Sequence, residues 1–394
     1  MEPAKSRGAV AIWSNSPHQP TGYGQQAGYL VDSLKRDGFD VAAISNYGLE
    51  GNNSVYHSPY GDVPHYARGY DAYSMDVLPI HYKHFTSQFD AKDLLITLYD
   101  VWVLKGKALD SMNIASWTPL DHTTVPPKVR AWLEKDNVKP ITMAPNGGEM
   151  LEKIGIDYTY IPHGIDTKVF KPTTEINGQD AREFMGIKPD QFLVGMVAAN
   201  KANGSIHRKA FAENFLAFSL LLKKYPDAVL YVHSEPFGFF GGFNLLGLAE
   251  AVGIPQESIL FPNQIDLRYG FERVDMAGIY SAMDVLLACS LGEGFGVPTV
   301  EAQACGTRVI GSGWAATKDL VSADGWLVDG QPLWDEAQKS WFKIPNVAHI
   351  YSALVEAYEA DRGVSQKSLE FASQFDVEHV WTTHWLPALD KFLA

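Results

Sequence analysis

Short apolar runs of strand length alternate with amphipathic helical stripes along most of this chain, and that alternation leaves few folds open. Residues 9–13 are one such run. Ala27, Leu30, Val31 and Leu34 follow at i, i+3, i+4 and i+7, the stripe of an amphipathic helix. Gly38 ends that helix, and residues 41–44 read as the next strand. A strand, a helix and a strand in succession make a parallel pair with a right-handed crossover. Further strands are expected at 94–98, 114–117, 141–144 and 158–161.

A second series begins near Phe192. Residues 193–198 read as a strand, and Phe211, Phe215, Phe218 and Leu222 form a helical stripe. Strands at 228–232, 259–261, 285–288 and 308–310 continue the pattern. The fold class is therefore α/β, with two doubly wound Rossmann-like sheets. A single core stops growing near ~250–300 residues, so a chain of 394 needs at least two domains. The expected division is 1–165, 166–375 and a closing segment 376–394, with a linker near 162–172 and a polar stretch to 180.

Apolar residues at 46% and charged residues at 20% exclude a mainly disordered chain. The net charge of −14 removes a general basic footprint for nucleic acid and leaves a local basic groove open. Cys289 and Cys305 are the only cysteines, which excludes a disulfide scaffold or cysteine-rich metal site and fits a reducing compartment. The apolar run at 9–13 is shorter than the ~7–15 residues of a signal peptide core. No run approaches the ~20 apolar residues of a membrane span, so the expectation is a cytoplasmic protein. Residues 46–89 break the alternation and carry seven tyrosines and four histidines. Two readings stand for them: a binding surface, or an insertion packing on its own domain.

The stretch from Ser290 to Gly306 carries the most chemistry. Pro298 suits the first turn of a helix, where its missing N–H costs nothing, and Gly306 suits the left-handed residue that ends one. Residues 292–297 then form a strand-to-helix loop in which Gly294 and Gly296 let a ligand approach the backbone. The backbone N–H groups of Phe295, Gly296, Val297 and the residues after them would face that ligand. Glu293 and Glu301 flank them, eight residues apart. Carboxylates accept from vicinal hydroxyls while N–H groups donate, which suits a ribose or a hexose. The plainer alternative is a helix cap at Glu293 and a solvated Glu301.

Glu293 to Glu301 resembles the Glu-x7-Glu motif of family 4 glycosyltransferases, whose architecture is the two-domain GT-B fold. Three more stretches are similar to that family's pattern: Tyr160 to Phe170, the basic pair Arg208–Lys209, and the glycines Gly22 and Gly24 after the first strand. The end of the chain, with Trp381 and Trp385, resembles a helix that crosses back to the first domain. The resemblance implies domains facing each other across a cleft and transfer of a sugar from a nucleotide-diphosphate donor with retention. Glu301 would hold the donor ribose, and Glu293 with Gly294, Phe295, Gly296 and Val297 the donor sugar. Arg208 and Lys209 would stabilise the departing diphosphate, as an Arg fork and a Lys point charge do. Basic residues in place of an Asp-x-Asp motif, absent here, imply no essential metal and no cofactor beyond the donor. His122 matches a histidine that contacts the donor sugar, with Asp121 beside it as orienter or acceptor contact; an ordinary turn is the alternative. Asp100 is a weaker candidate, and His163 reads as shaping a hinge turn.

Three other functions compete with this one. A nicotinamide-dependent oxidoreductase would use Gly22, Gly24 and Ala27, but residues 14–21 intervene after the strand and Ile44 is followed by Ser45 and Asn46. A nucleotide-sugar epimerase or hydrolase would share the fold and need no acceptor. A non-catalytic binding module would have no use for groups arranged around a transition state. The sequence leaves the base, the sugar and the oligomeric state open. The acceptor is equally open: a glycan, a small molecule, a protein or a modified nucleic acid.

Overall fold

The computed structural model describes residues 6–104, 107–202 and 206–394. The chain divides into two units. The first comprises residues 1–120, 125–164 and 377–394; the second comprises 121–124 and 165–376.

Among the described residues, the first unit holds an eight-stranded sheet. Its strands are β1 (Ala9–Asn15), β2 (Asp40–Tyr47), β3 (Ser54–Ser58), β4 (Gly61–Tyr66), β5 (Asp93–Leu98), β6 (Ile114–Thr118), β7 (Val138–Thr142) and β8 (Thr159–Tyr160). The order is β3-β4-β2-β1-β5-β6-β7-β8, winding outward both ways from β1 and β5. All pairs are parallel except the hairpin β3–β4. β1 is buried along nearly its whole length, because a parallel strand covered on both faces has no place for alternating polar residues. The helix Gly22–Arg36 buries the expected stripe Ala27, Leu30, Val31 and Leu34.

That helix begins earlier than its apolar stripe. Thr21 caps it, its hydroxyl accepting from the Gly24 N–H at 3.1 Å. Gly22 and Gly24 therefore lie in the first helical turn, not in a glycine-rich loop. A Cβ on Gly24 would stand 2.4 Å from the Gln19 carbonyl oxygen, so close packing of the preceding loop explains this glycine.

The tyrosine-rich stretch supplies β3, β4 and the helix Leu78–Thr86. Tyr66 and Tyr82 are buried in it, whereas Tyr47, Tyr60, Tyr70 and Tyr73 are exposed. The end of the chain also packs in the first unit. Trp381 donates to Asp37 at 2.8 Å, and the Trp385 ring meets Trp117 edge-on at 4.9 Å.

The second unit opens with a two-stranded hairpin, β9 (Glu175–Ile176) and β10 (Gln179–Asp180), where the sequence suggested only linker. Its main sheet holds β11 (Phe192–Val197), β12 (Ala228–His233), β13 (Ile259–Leu260), β14 (Val285–Ala288), β15 (Arg308–Ser312) and β16 (Trp326–Val328). The order is β13-β12-β11-β14-β15-β16, all parallel. Phe211, Phe215 and Phe218 of the helix Phe211–Lys224 are fully buried in its core with Phe192, Leu230 and Leu354. The order turns between β11 and β14, and in such sheets ligands bind beyond the carboxyl ends of the strands at that turn. An antiparallel ribbon follows, β17 (Gly330–Asp335) and β18 (Ser340–Pro345).

Candidate active site

The two strands at the switch point feed two loops, which carry Arg208, Lys209, Glu293, Gly294, Phe295 and Gly296. After β11 the chain reaches Arg208 and Lys209 in a turn just ahead of the helix Phe211–Lys224, rather than inside it. Ala210 takes a left-handed φ of 48° at that junction. After β14 the chain reaches Glu293 and then the helix Val297–Ala304, with Pro298 in its first turn. Gly296 precedes this helix at φ 105°, a conformation that a side chain would strain.

Glu293 binds both cations. Its carboxylate accepts from Lys209 Nζ at 2.6 Å and from Arg208 Nη1 at 2.8 Å. Arg208 Nη1 also donates to the Gly292 carbonyl at 2.6 Å. Burial alone would raise the Glu293 pKa, but the Arg208 and Lys209 charges outweigh it and hold it at about 2. Burial lowers the Lys209 pKa, against the pull of Glu293.

Asp121 and His122 join this cluster, although the strand before them and the helix after them belong to the first unit. Asp121 Oδ2 lies 3.9 Å from Arg208 Nε. Asp121 Oδ1 lies 2.8 Å from His122 Nδ1, off the ring N–H axis, so that contact is an ion pair more than a hydrogen bond. His122 Nε2 meets Asp335 Oδ2 of β17 at 3.1 Å, and the ring stacks on Phe342 of β18 at 3.9 Å. Burial would lower the His122 pKa, yet the two carboxylates more than reverse this and raise it. The imidazole is 4% exposed, so His122 presents neither face nor edge freely to a sugar. Gly292 fits here for want of room: a Cβ would come 1.9 Å from the Asp121 carbonyl oxygen.

Glu301 is 7% exposed and accepts from the Tyr280 hydroxyl at 2.8 Å, which excludes the solvated-surface alternative. Phe295 is buried against Phe375, ring centroids 5.7 Å apart, so its offering to a ligand is backbone. Val297 is buried, and the Thr299 N–H is taken by the Gly296 carbonyl at 2.9 Å. Gly294 is buried between them. Gly22 and Gly24 belong to the first unit. Asp100 is exposed at the start of a short 3-10 turn. His163 is buried edge-on against Trp117 at 4.5 Å, and burial pushes its pKa down to about 3, which suits a packing role.

Sequence reasoning missed Tyr280, Asp335 and Phe342. Only for the ribbon was there a signal, and a weak one: the apolar pairs Leu333–Trp334 and Trp341–Phe342 flank a short polar stretch, as the arms of a hairpin do.

A sucrose-phosphate synthase from Thermosynechococcus elongatus superposes with a TM-score of 0.71 at 17% identity over 98% of both chains. Anabaena HepE, solved in complex with UDP and glucose, gives 0.65 at 16% identity over 98% of this chain and all of its own. The fold is that of the GT-B glycosyltransferases.

Within that fold, residues 261–339 match the family described as glycosyl transferases group 1. A D-inositol 3-phosphate glycosyltransferase of Mycobacterium ulcerans (strain Agy99) is 31% identical over 240 residues, 59% of this chain and 43% of its own length. The chain thus spans less than half the length of that relative.

Proposed function

We propose that this protein is a retaining, metal-independent glycosyltransferase that moves a sugar from a nucleotide-diphosphate donor to a hydroxyl-bearing acceptor. The observation that carries the reading is the Glu293–Arg208–Lys209 cluster at the switch point of the second sheet, beside the start of the helix Val297–Ala304. The group 1 match and the UDP and glucose in HepE support the same donor class.

In the reaction, the bond from the sugar's anomeric carbon to the diphosphate breaks, and its electron pair leaves on phosphate oxygen. The acceptor oxygen forms the new bond. Retention requires that bond on the face the diphosphate leaves, so the departing oxygen is the nearest base for the acceptor's proton. Charge builds on the diphosphate as the bond stretches, and fixed cations lower that barrier. Arg208 and Lys209 fill this role once the diphosphate draws them from Glu293. Glu293 is then free to accept from sugar hydroxyls, and Glu301 accepts from the ribose. The two cations take the place that a divalent ion fills in other transferases.

A thermal-shift panel of UDP, GDP, ADP and their glucose conjugates tests this. A bound ligand raises the melting temperature by mass action. One base series should respond, and Lys209→Ala should abolish the response. If no sugar nucleotide shifts the melt, the reading fails. Conversion of a nucleotide sugar to its epimer without an acceptor would replace transfer by epimerisation.

A further inference from the structure

The ribbon β17–β18 reaches into the site with a charged side chain, Asp335: its Oδ1 accepts from the Ala337 N–H at 3.0 Å in the ribbon's own turn, which leaves Oδ2 to face His122. Cross-strand partners share a face, and the register pairs Asp335 with Ser340, Leu333 with Phe342 and Trp334 with Trp341. Trp334 and Trp341 lie on the exposed face, both 42% accessible. Asp335, Ser340 and Phe342 lie on the other face and are buried. That face holds residues 121–124. The Thr123 N–H donates to the Trp341 carbonyl at 2.8 Å, and Ser340 Oγ donates to the Thr124 carbonyl at 2.7 Å. These bonds already fix the segment, so Asp335 is not required to hold it.

A buried carboxylate is costly unless it is paired. The charged partner of Asp335 is His122, whose other nitrogen faces Asp121, which in turn faces Arg208. Three carboxylates (Asp121, Glu293, Asp335) thus alternate with Lys209, Arg208 and the imidazole in one chain. With a protonated imidazole the charges balance, three against three. We propose that Asp335 is a positioning residue for glycosyl transfer: through a charged His122 it keeps Asp121 engaged, so that Arg208 stays available to the leaving diphosphate. This rests on the reading of the site given above. Without Asp335, His122 loses its aligned carboxylate and deprotonates more readily. Asp121 is then left to pair with Arg208, and the fork is withheld from phosphate oxygens.

The test uses the intact chain and whichever of UDP-glucose, GDP-glucose and ADP-glucose raises its melting temperature, with nucleoside diphosphate release as the readout. Asp335→Asn should lower kcat at least tenfold at pH 8 while the donor KM changes less than threefold. Its alkaline limb should move about one pH unit lower, the scale for one lost carboxylate beside an imidazole. Asp335→Glu, which keeps the charge, should leave the limb where the wild type has it. An unmoved limb in Asp335→Asn overturns the proposal, because a merely structural residue would change the rate and not the titration. Should Asp335→Asn fail to fold, histidine-selective 15N spectra of the wild type decide the matter. His122 should remain protonated at pH 7, and a neutral His122 there overturns the proposal. Failure of every sugar nucleotide to bind the wild type would sink the reading of the site instead, leaving those spectra to judge Asp335 alone.

Discussion

Glu293 is one side chain asked to serve two states. In the structure it neutralises Arg208 and Lys209, and in the proposed reaction it releases them. The cations hold its pKa at about 2, below the ordinary 4.5. A depressed carboxylate contributes stability that is complete above its unfolded value and lost as pH falls through its folded one. Wild type should therefore lose melting temperature between about pH 4.5 and about pH 2, and Glu293→Gln should show a flatter slope in that window. Equal slopes in the two proteins would mean that the ion cluster does not form in solution. Lys209→Ala should lower turnover by roughly 10²–10³, the scale for one preorganised charge partner. A loss under threefold, with a verified substrate pair, removes Lys209 from the site. For Glu301→Gln the expectation is a donor Kd weaker by about tenfold or more, the scale of one hydrogen bond to a charged group. Calorimetric titration showing an unchanged Kd would contradict the ribose role. Glu293, Glu301, Arg208 and Lys209 were legible in the sequence because each sits within a short local pattern. Asp335 was not, since its partner is 213 residues away and no local pattern encodes such a pair.

At the scale of elements, the apolar runs marked most strands, because parallel strands covered on both faces are apolar without alternation. Starts and stops were less visible. The first helix begins at Gly22, since a threonine cap and a tight loop decide its start and neither shows in an apolar stripe. The ribbon β17–β18 escaped notice because its two faces mix tryptophans outward with an aspartate inward, the reverse of ordinary patterning. Gly292 links this ribbon to the switch-point loop, its missing Cβ leaving room for the Asp121 carbonyl and for Phe342, which would stand 3.0 Å away. Gly292→Ala should therefore destabilise the protein by about 1–3 kcal/mol, the range for overpacking, as read from urea midpoints. It should also weaken donor binding, because the same loop carries Glu293. A stable, fully active Gly292→Ala protein would show that the loop and the segment 121–124 are not in contact.

Each unit closes a core of its own, and the chain's last residues belong to the first of them. Trp381, Trp385, Leu389 and Phe392 are buried there, so the end of the sequence is part of that unit's interior rather than an appendage. Two closed cores in one chain give reason to expect two unfolding events and to distrust a single two-state free energy. Ligand and mutation should then act on different events. Trp385→Ala removes a ring packed against Trp117 and should lower the melting transition of the first unit by the equivalent of about 3–5 kcal/mol. A responding nucleotide sugar stabilises whatever binds it, and Asp121, His122, Arg208, Lys209, Glu293 and Glu301 lie in the second unit. Differential scanning calorimetry of Trp385→Ala with and without that ligand should show one transition lowered by the substitution and the other raised by the ligand. If both perturbations move one common transition, the two cores unfold as a single cooperative body, and stability effects at Trp385 will reach the candidate site.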